Sequence, residues 1–345
     1  MIYPSFPQAG ETIGICAPSA GVGGKLASFE LSLETLHEAG YRTKETENVR
    51  SEGYPSAPAD VRGAEFNQLF SDPEISMVIS ASGGDYNVEM LPHINADIVR
   101  ENPKWFAGYS DPTCVELYLT TVLDIATIYG VNAGAWDWRP LHKFQYDALS
   151  VIKGELPVQT SYEYYSSKGF DDETLSCEMD AEVRWTLLMP VYSSESEHGE
   201  LFEGTSLDVT GRLIGGCIDV ITWVMGTPYE DLAGFSERYK DDGLIWYFDN
   251  FELKPMDLMY AMIKMRQAGL FDPARAVIFG RTLLPGEATD EDYLVQLERV
   301  FGELEVPIIW NADIGHTKPS FTLINGAMGH LTYDNGRAIL TMDLI

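Results

Sequence analysis

Short apolar runs alternate with helical patterns over the first 140 residues, and this alternation constrains the fold more strongly than any other feature. Residues 12–17 and 75–80 each predict a buried strand, and residues 105–107 predict a third. Helical spacing of apolar residues follows at 26–36 and again at 61–70. Buried strands that alternate with helices are typical of a parallel sheet covered on both faces. The sequence therefore predicts the α/β class, with a doubly wound parallel sheet in an N-terminal domain.

The second half of the chain mixes strands and helices differently. Apolar strands are predicted at 244–248, 276–279 and 307–310, with helices between them. The tail HLTYDNGRAILTMD has two alternating runs around Asn335-Gly336, a pair typical of a type I′ hairpin. We therefore expect three parts: an N-terminal α/β domain (1–150), a linker and loop region (151–205), and a C-terminal β-rich domain with helices (206–345).

The predicted linker region lacks clear periodicity and is rich in Ser, Tyr, Glu and Asp, as in TSYEYYSSKGFDDET. One interpretation is a solvated connection between domains. The other is a functional lid or binding loop, because long loops in compact proteins often have such roles. Both interpretations stay open at this point.

The charge balance is strongly acidic. The chain has 53 Asp and Glu residues against 23 Lys and Arg residues, a formal net charge of −30. Such a chain repels phosphate backbones and anionic lipid surfaces, so neither nucleic acid nor a membrane is expected as a partner. The acids are dispersed, with a local concentration at 195–200, and we interpret them as solubilising. Neither an apolar run of about 20 residues nor a signal-peptide pattern is found.

The four cysteines, Cys16, Cys114, Cys177 and Cys217, lie far apart in the sequence. There is no CxxC motif and no Cys/His cluster, so a zinc site is not expected. Free thiols in a reducing cytoplasm are favoured over disulfides. We expect no metal and no cofactor.

A serine lies where one predicted strand stops and a helix begins, in the segment GYSDP. A side chain on such a turn is exposed, and the unpaired N–H groups at the helix start can receive a developing oxyanion. The segment matches half of the nucleophile pattern G-x-S-x-G. Ser110 is therefore a candidate nucleophile, although a helix-capping role for Ser110 or Asp111 is an alternative.

A nucleophilic serine needs a base and a group that orients the base. Of the six histidines, His316 is placed like Ser110, because it follows an apolar strand and lies beside a glycine. Asp249 directly follows the strand LIWYF, Glu252 lies three residues further on, and Asp313 is close to the histidine in sequence. All three acids are candidates for the orienting group.

Five segments are distinctive when they are taken in order. They are SASGGDYNVEMLPHI, WFAGYSDPT, GRLIGGCIDVITWVMGTPY, LIWYFDNFELKP and NADIGHTKP. Together they resemble the LD-carboxypeptidase family of serine peptidases, and most closely its microcin C immunity (MccF-like) branch. The similarity runs from Gly10 to about Gly326 and is weakest over 141–205. The resemblance implies a cytoplasmic, metal-free homodimer with an active site between an N-terminal α/β domain and a C-terminal β-rich domain.

The resemblance also implies roles for individual residues. Ser110 would be the nucleophile and His316 the base, so that the N-terminal domain carries the nucleophile and the C-terminal domain the base. The backbone amides of Gly84 and Asp111 would form the oxyanion hole.

The third member of the family's triad is a glutamate, and the register places Asp249 at its position. Aspartate is one methylene shorter, so whether Asp249 supports full activity is left open. Glu252 would substitute only if the strand end were remodelled.

The family reaction is amide hydrolysis through an acyl-enzyme. In the LD-carboxypeptidases proper, the bond joins meso-diaminopimelate to the terminal D-alanine of a muropeptide. In the immunity branch it joins an aspartate carboxyl to a nucleotide phosphoramide, and loop aromatics hold the base. The GGCIDVITWVMGTPY segment favours the immunity branch, whereas we interpret Trp185 in EVRWTLL as a core residue rather than such a loop aromatic.

Three hypotheses follow. The first is a MccF-like serine peptidase that cleaves an amide bond of a small peptide or of a peptidyl- or aminoacyl-nucleotide. The second is a muropeptide carboxypeptidase of cell-wall recycling. The third is a catalytically silent relative that only binds its ligand.

Overall fold

The structure is a computed structural model that describes residues 1–168, 177–191 and 200–345. Its strands, in chain order, are β1 (Thr12–Cys16), β2 (Arg42–Glu45), β3 (Ile75–Ser80), β4 (Trp105–Gly108), β5 (Thr127–Tyr129), β6 (Gln159–Thr160), β7 (Tyr164–Tyr165), β8 (Ala181–Glu182), β9 (Thr186–Val191), β10 (Glu200–Gly204), β11 (Ser206–Cys217), β12 (Leu244–Asp249), β13 (Ala274–Gly280), β14 (Ile308–Ala312), β15 (Leu323–Asn325), β16 (Met328–Asp334) and β17 (Arg337–Asp343).

The helices lie mostly between these strands. They are α1 (Leu26–Glu38), α2 (Ala59–Ser71), α3 (Asn87–Met90), α4 (Ala96–Glu101), α5 (Thr113–Leu117), α6 (Lys143–Lys153), α7 (Ile218–Val224), α8 (Leu232–Arg238), α9 (Pro255–Gln267) and α10 (Asp290–Phe301). Two 3₁₀ turns are present at Gly23–Lys25 and Leu91–His93, and a π-helical turn at Tyr118–Val122 continues α5.

Two large sheets organise the described chain. The first has the order β15-β5-β4-β3-β1-β2, and all of its pairs are parallel except β15 with β5. The second has the order β10-β9-β14-β13-β12-β11-β16-β17-β6, with a parallel centre from β14 to β11 and antiparallel flanks. The predicted fold class is confirmed, because a parallel-rich α/β sheet precedes a β-rich part with helices.

The two sheets share one buried core. Ile128 of β5 and Leu323 of β15 belong to the same hydrophobic cluster as Leu213 of β11 and Tyr247 of β12. Strand β15 belongs to the second half of the chain in sequence, but it pairs with β5 of the first sheet, with Ile324 opposite Ile128. The carboxyl ends of β4 and β12 are thereby brought to a common region, where side chains from both sheets can meet.

The predicted tail hairpin is confirmed, since β16 and β17 pair around Asn335 and Gly336, which have φ angles of +46° and +91°. Within the predicted linker region, β6, β9 and β10 join the second sheet. The boundaries at 150 and 205 stay a prediction. Parts of TSYEYYSSKGFDDET and most of the acidic stretch at 195–200 lie outside the described residues. No helix in the described ranges is long and apolar enough to cross a bilayer.

Candidate active site

Ser110 lies on the sharp turn between β4 and α5. Its backbone φ is +69°, in the left-handed region, where a non-glycine residue stores about 1–3 kcal/mol of strain. The Thr113 N–H closes the turn by donating to the Ser110 carbonyl at 3.0 Å. Pro112 occupies the N-cap position of α5 without any side-chain cap. The capping alternative for Ser110 is therefore wrong, and its hydroxyl is left to bond elsewhere.

The Ser110 hydroxyl contacts a histidine from the other half of the chain. Ser110 Oγ lies 3.0 Å from His316 Nε2. The second ring nitrogen, Nδ1, lies 2.8 Å from Asp249 Oδ2 and 3.0 Å from Oδ1. These three side chains form one hydrogen-bonded chain from a carboxylate to a hydroxyl.

A close backbone approach explains how the shorter aspartate reaches the ring. Gly315 has a φ of +99°, and a Cβ atom there would lie 2.0 Å from Asp249 Oδ1. Only glycine therefore fits against the carboxylate at this position. The same approach lets the His316 backbone N–H donate to Asp249 Oδ1 at 3.2 Å.

A tyrosine from the first sheet completes the surroundings of the carboxylate. Tyr129, at the end of β5, donates its hydroxyl to Asp249 Oδ2 at 2.5 Å. Burial by itself raises the pKa of Asp249, but the charge of His316 and the hydrogen bonds from His316 and Tyr129 outweigh it. The pKa of Asp249 is consequently held below its usual value, and the group is a carboxylate at neutral pH.

Two aromatic rings fix the orientation of the histidine. Tyr109 and Phe251 each place a ring centroid 4.6 Å from that of His316. Tyr109 follows β4 of the first sheet and Phe251 follows β12 of the second. The imidazole is thus held between the two halves of the site.

The predicted oxyanion residues lie beside the serine. Gly84 has a φ of +141° and, together with Ser110, lines one cavity. A Cβ at Gly83 would lie 3.4 Å from Ser110 Oγ. Neither the Gly84 nor the Asp111 N–H donates to another group of the described chain. Both amides can therefore bind a ligand oxygen.

The Asp111 side chain holds this corner together. It is buried, and its carboxylate accepts from the Ser19 hydroxyl and, at 2.9 Å, from the Asn87 N–H. Burial raises the pKa of Asp111 above its usual value, although these bonds oppose the shift. Ser19 Oγ in turn accepts from the Tyr86 N–H at 3.1 Å, which ties the segment after Gly84 to the turn. The carboxylate is structural: it accepts from the first residue of α3 and does not cap α5, the helix that follows it in the chain.

The other candidate acids do not contact the histidine. Asp313 is buried and pairs with Arg281 at 2.6 Å. Glu252 is exposed at the protein surface. Of the three acids singled out from the sequence, only Asp249 contacts His316.

The other histidines have separate surroundings. His142 accepts from the backbone at the start of α6, His37 bonds Thr43, and His330 pairs with Asp208 at 2.8 Å. His198 lies outside the described residues. No group of three or more His, Cys, Asp or Glu side chains in the described ranges could hold a metal.

Trp185 is a core residue, as the sequence suggests. It is 1% exposed, its ring packs on Phe321, and its Nε1 donates to Asp313 at 3.0 Å. Its indole is therefore not available to stack on a ligand.

Two cavities of about 230 Å³ each flank the Ser110 turn. We call the first the acidic cavity; its lining includes Ser110, Gly84, Tyr54, Asp85, Asp219 and Glu252. We call the second the lysine cavity; its lining includes Ser82, Tyr109, Asn132, Phe144, Lys25 and Lys318. A substrate that reaches Ser110 has space on both sides of the turn.

A carboxylate, an imidazole and a hydroxyl joined in this order are the arrangement that serine hydrolases use, and two family models match the chain. The LD-carboxypeptidase N-terminal domain matches residues 13–130, and the LD-carboxypeptidase C-terminal domain matches residues 210–331. The chain belongs to the LD-carboxypeptidase family, whose members are serine-type carboxypeptidases.

Individual relatives span almost the whole chain. The microcin C7 self-immunity protein MccF of Escherichia coli is 26% identical over 340 residues, 96% of this chain and 93% of the relative. A Bacillus subtilis protein named "Probable murein peptide carboxypeptidase" is 22% identical, over 98% of this chain and 94% of its own. The structure of MccF in complex with glutamyl sulfamoyl guanosine has a TM-score of 0.78 at 21% identity, covering 99% of this chain and 98% of that one. This structural similarity supports the assignment of the fold.

Sequence reasoning missed three side chains that hold the site together. Tyr129, Tyr109 and Phe251 contact Asp249 or His316, yet none belongs to a residue type that signals catalysis. Tyr109 and Phe251 had one signal, their position, since each lies just past a strand end within two residues of a candidate residue, whereas Tyr129 at the end of β5 has no candidate residue beside it.

Proposed function

We propose that this chain is a serine-type hydrolase that cleaves an amide bond through an acyl-enzyme. Ser110 is the nucleophile, His316 accepts its proton, and Asp249 fixes the histidine tautomer and stabilises the imidazolium. The observation that carries the proposal is the continuous chain of contacts at 2.8–3.0 Å from Asp249 through His316 to Ser110.

The reaction would proceed in two steps. Ser110 Oγ attacks the substrate carbonyl while its proton moves to His316 Nε2, and the carbonyl oxygen becomes an oxyanion held by the N–H groups of Gly84 and Asp111. The proton then passes from His316 to the leaving nitrogen, which departs. A water molecule, deprotonated by His316, releases the acyl group and restores the serine.

The substrate class we propose is a small peptide or a peptidyl- or aminoacyl-nucleotide of the microcin C type. Support comes from the similarity to MccF, whose structures include complexes with glutamyl sulfamoyl guanosine and aspartyl sulfamoyl adenosine. A muropeptide is the second candidate, because a relative of similar coverage is named as a murein peptide carboxypeptidase. A cytoplasmic location and a homodimeric state belong to the same proposal.

A substrate panel tests this proposal. Aminoacyl-sulfamoyl nucleotides and a muropeptide tetrapeptide are incubated with the wild type and with Ser110→Ala, and products are identified by mass spectrometry. We expect cleavage of one class by the wild type only. If the folded wild type cleaves neither class and is not labelled by a fluorophosphonate, the silent-binder hypothesis replaces the enzyme.

A further inference from the structure

The two cavities beside Ser110 differ in charge. The described lining of the acidic cavity contains the carboxylates Asp85, Asp219 and Glu252 and no Lys or Arg. The lysine cavity contains Lys318, an exposed Lys25 and one carboxylate, Asp137, so its two cations outnumber its single anion. A substrate bound across the turn would therefore meet opposite electrostatic environments on its two sides.

Lys318 is positioned close to the reacting groups. It lies two residues after His316, and its Nζ is 4.5 Å from the centroid of the Tyr109 ring. The same ring lies 4.6 Å from the His316 ring, centroid to centroid. A single aromatic side chain thus separates the ammonium group from the histidine.

Among the described residues, no carboxylate is in direct contact with the ammonium group of Lys318. Its Nζ donates to the Gly315 carbonyl at 3.2 Å and to Ser320 Oγ at 3.0 Å, which are both neutral acceptors. It forms no ion pair within the described residues. An ammonium group has three donors, so one remains for a ligand.

The nearby acids are engaged with other groups. Asp249 is held by His316 and Tyr129, and Asp137 accepts from the Ser28 hydroxyl. Burial lowers the pKa of Lys318 to about 8, while Asp249, Cys177 and Asp137 oppose that shift. The group still carries its charge at pH 7, and an arriving anion would compensate it in a poorly solvated place.

The rest of the lysine cavity suits a short organic chain that ends in an anion. Its walls include the rings of Tyr109 and Phe144, which can pack against methylene groups. Asn132 donates to the Tyr109 carbonyl at 3.3 Å, but its buried Oδ1 has no partner within the described chain. That oxygen can accept a substrate N–H group.

We propose that the lysine cavity binds a carboxylate of the substrate through Lys318, while the acidic cavity receives an uncharged or cationic part. The inference rests on the proposed function, because it concerns the substrate of the same serine. Two carboxylates could occupy the cavity: the side chain of an acidic aminoacyl group, or the C-terminus of a peptide. Lys318 is a specificity-determining residue in either case.

The test measures binding without turnover, in a Ser110→Ala background at pH 7, by calorimetry. One ligand pair is aspartyl-sulfamoyl adenosine and its asparaginyl counterpart. The other is a muropeptide tetrapeptide with a free or an amidated C-terminus. We expect the carboxylate member of one pair to bind about tenfold more tightly or better. The pair that shows this preference identifies which carboxylate occupies the cavity.

Second substitutions assign the preference to Lys318. With Lys318→Met added, the preference should shrink to about threefold or less, and Lys318→Arg should retain most of it. Lys264→Met is the matched control, because Lys264 likewise donates only to neutral acceptors, the backbone carbonyls of Thr222 and Met225. Circular dichroism shows that each variant is folded, and Lys318→Gln replaces Lys318→Met if the latter is not.

Two results would overturn the inference: no preference in either pair, or a preference that survives the loss of Lys318. Either result can occur in an active enzyme, so neither one tests the proposed function. Labelling of wild-type Ser110 by a fluorophosphonate tests that function separately.

Discussion

The two sheets contribute to the candidate site by different means. The first sheet presents Ser110 through backbone conformation, with a strained φ of +69° and with N–H groups of Gly84 and Asp111 that donate to no other group of the described chain. The second sheet presents Asp249 and His316 through side-chain and backbone hydrogen bonds that join residues 67 positions apart. The nucleophile half is therefore local in sequence, whereas the acid–base half depends on contacts that only the folded chain brings together.

Hydrogen bonds between side chains of the candidate site connect the halves, among them those from His316 to Ser110 and from Tyr129 to Asp249. If the two halves act as one catalytic unit, substituting a catalytic residue in either half should abolish the same activity, although only the first half contains the nucleophile. Substitutions on each side test this dependence.

Ser110→Ala should have the largest effect. Removing the nucleophile is expected to lower kcat by about 10⁴-fold or more without loss of fold, because no other hydroxyl replaces it. Steady-state hydrolysis of the substrate identified in the panel measures the change. Ser76→Ala, a serine of β3 away from the turn, is the control, and retention of more than about a tenth of the activity in Ser110→Ala would exclude the assignment.

His316→Gln should be nearly as damaging as Ser110→Ala, with a loss of about 10³-fold or more. Without the imidazole, the Ser110 hydroxyl keeps its proton at neutral pH. His330→Gln serves as the control, because His330 is also paired with an aspartate but lies exposed in β16. Equal rates for the two variants would show that another group is the base.

Asp249→Asn should lower the rate by about 10²- to 10⁴-fold with a smaller effect on stability, because the wrong tautomer of His316 would face Ser110. Asp249→Glu keeps the negative charge, but its longer side chain crowds Gly315, and we therefore expect partial activity. Asp208→Asn, at the exposed Asp–His pair, is the matched control. If Asp249→Asn were as active as this control, Asp249 would have no role in the mechanism.

Tyr129→Phe should have the smallest effect, a decrease of about tenfold or less in rate, through loss of one hydrogen bond to Asp249. Its clearest readout is stability against pH. The pKa of Asp249 is lower in the folded state, so its ionised form stabilises the fold above about pH 4 and this stabilisation is lost as the pH falls through the folded pKa.

Without the tyrosine bond the folded pKa rises, and less stabilisation is available at neutral pH. The difference in Tm between wild type and Tyr129→Phe should therefore be widest near pH 7 and narrow below about pH 4. Tyr333→Phe is the control, because the Tyr333 hydroxyl bonds the Trp185 carbonyl and not a carboxylate. A pH-independent difference for Tyr129→Phe would show that its bond does not act on Asp249.

The same division explains what could be predicted from the sequence. Strands with continuous apolar runs, such as β1, β3 and β12, were found from local pattern, and so were the strand-end residues Ser110 and Asp249. Strand β2, with the sequence RTKE, was missed because an edge strand needs no apolar run. Strand β15 was missed because its pairing with β5 joins residues almost 200 positions apart.

The contacts within the candidate site show the same contrast between local pattern and long-range contact. The GYSDP turn can be recognised from adjacent residues. The choice of Asp249 over Glu252 and Asp313 could not be made from spacing alone, since it depends on how closely the Gly315 backbone approaches β12. The Tyr129 bond had no signal in the sequence, because a buried tyrosine at a strand end is ordinary core composition.

We propose that Asp249 and His316, presented by the second sheet, activate Ser110, presented by the first. Fluorophosphonate labelling, followed by mass spectrometry with peptide mapping, tests it without knowledge of the substrate. We expect a single label on Ser110 in the wild type. His330→Gln and Asp208→Asn should be labelled at similar rates, and His316→Gln and Asp249→Asn at rates lower by orders of magnitude. A label on another residue, or wild-type labelling rates in His316→Gln and Asp249→Asn, would contradict it.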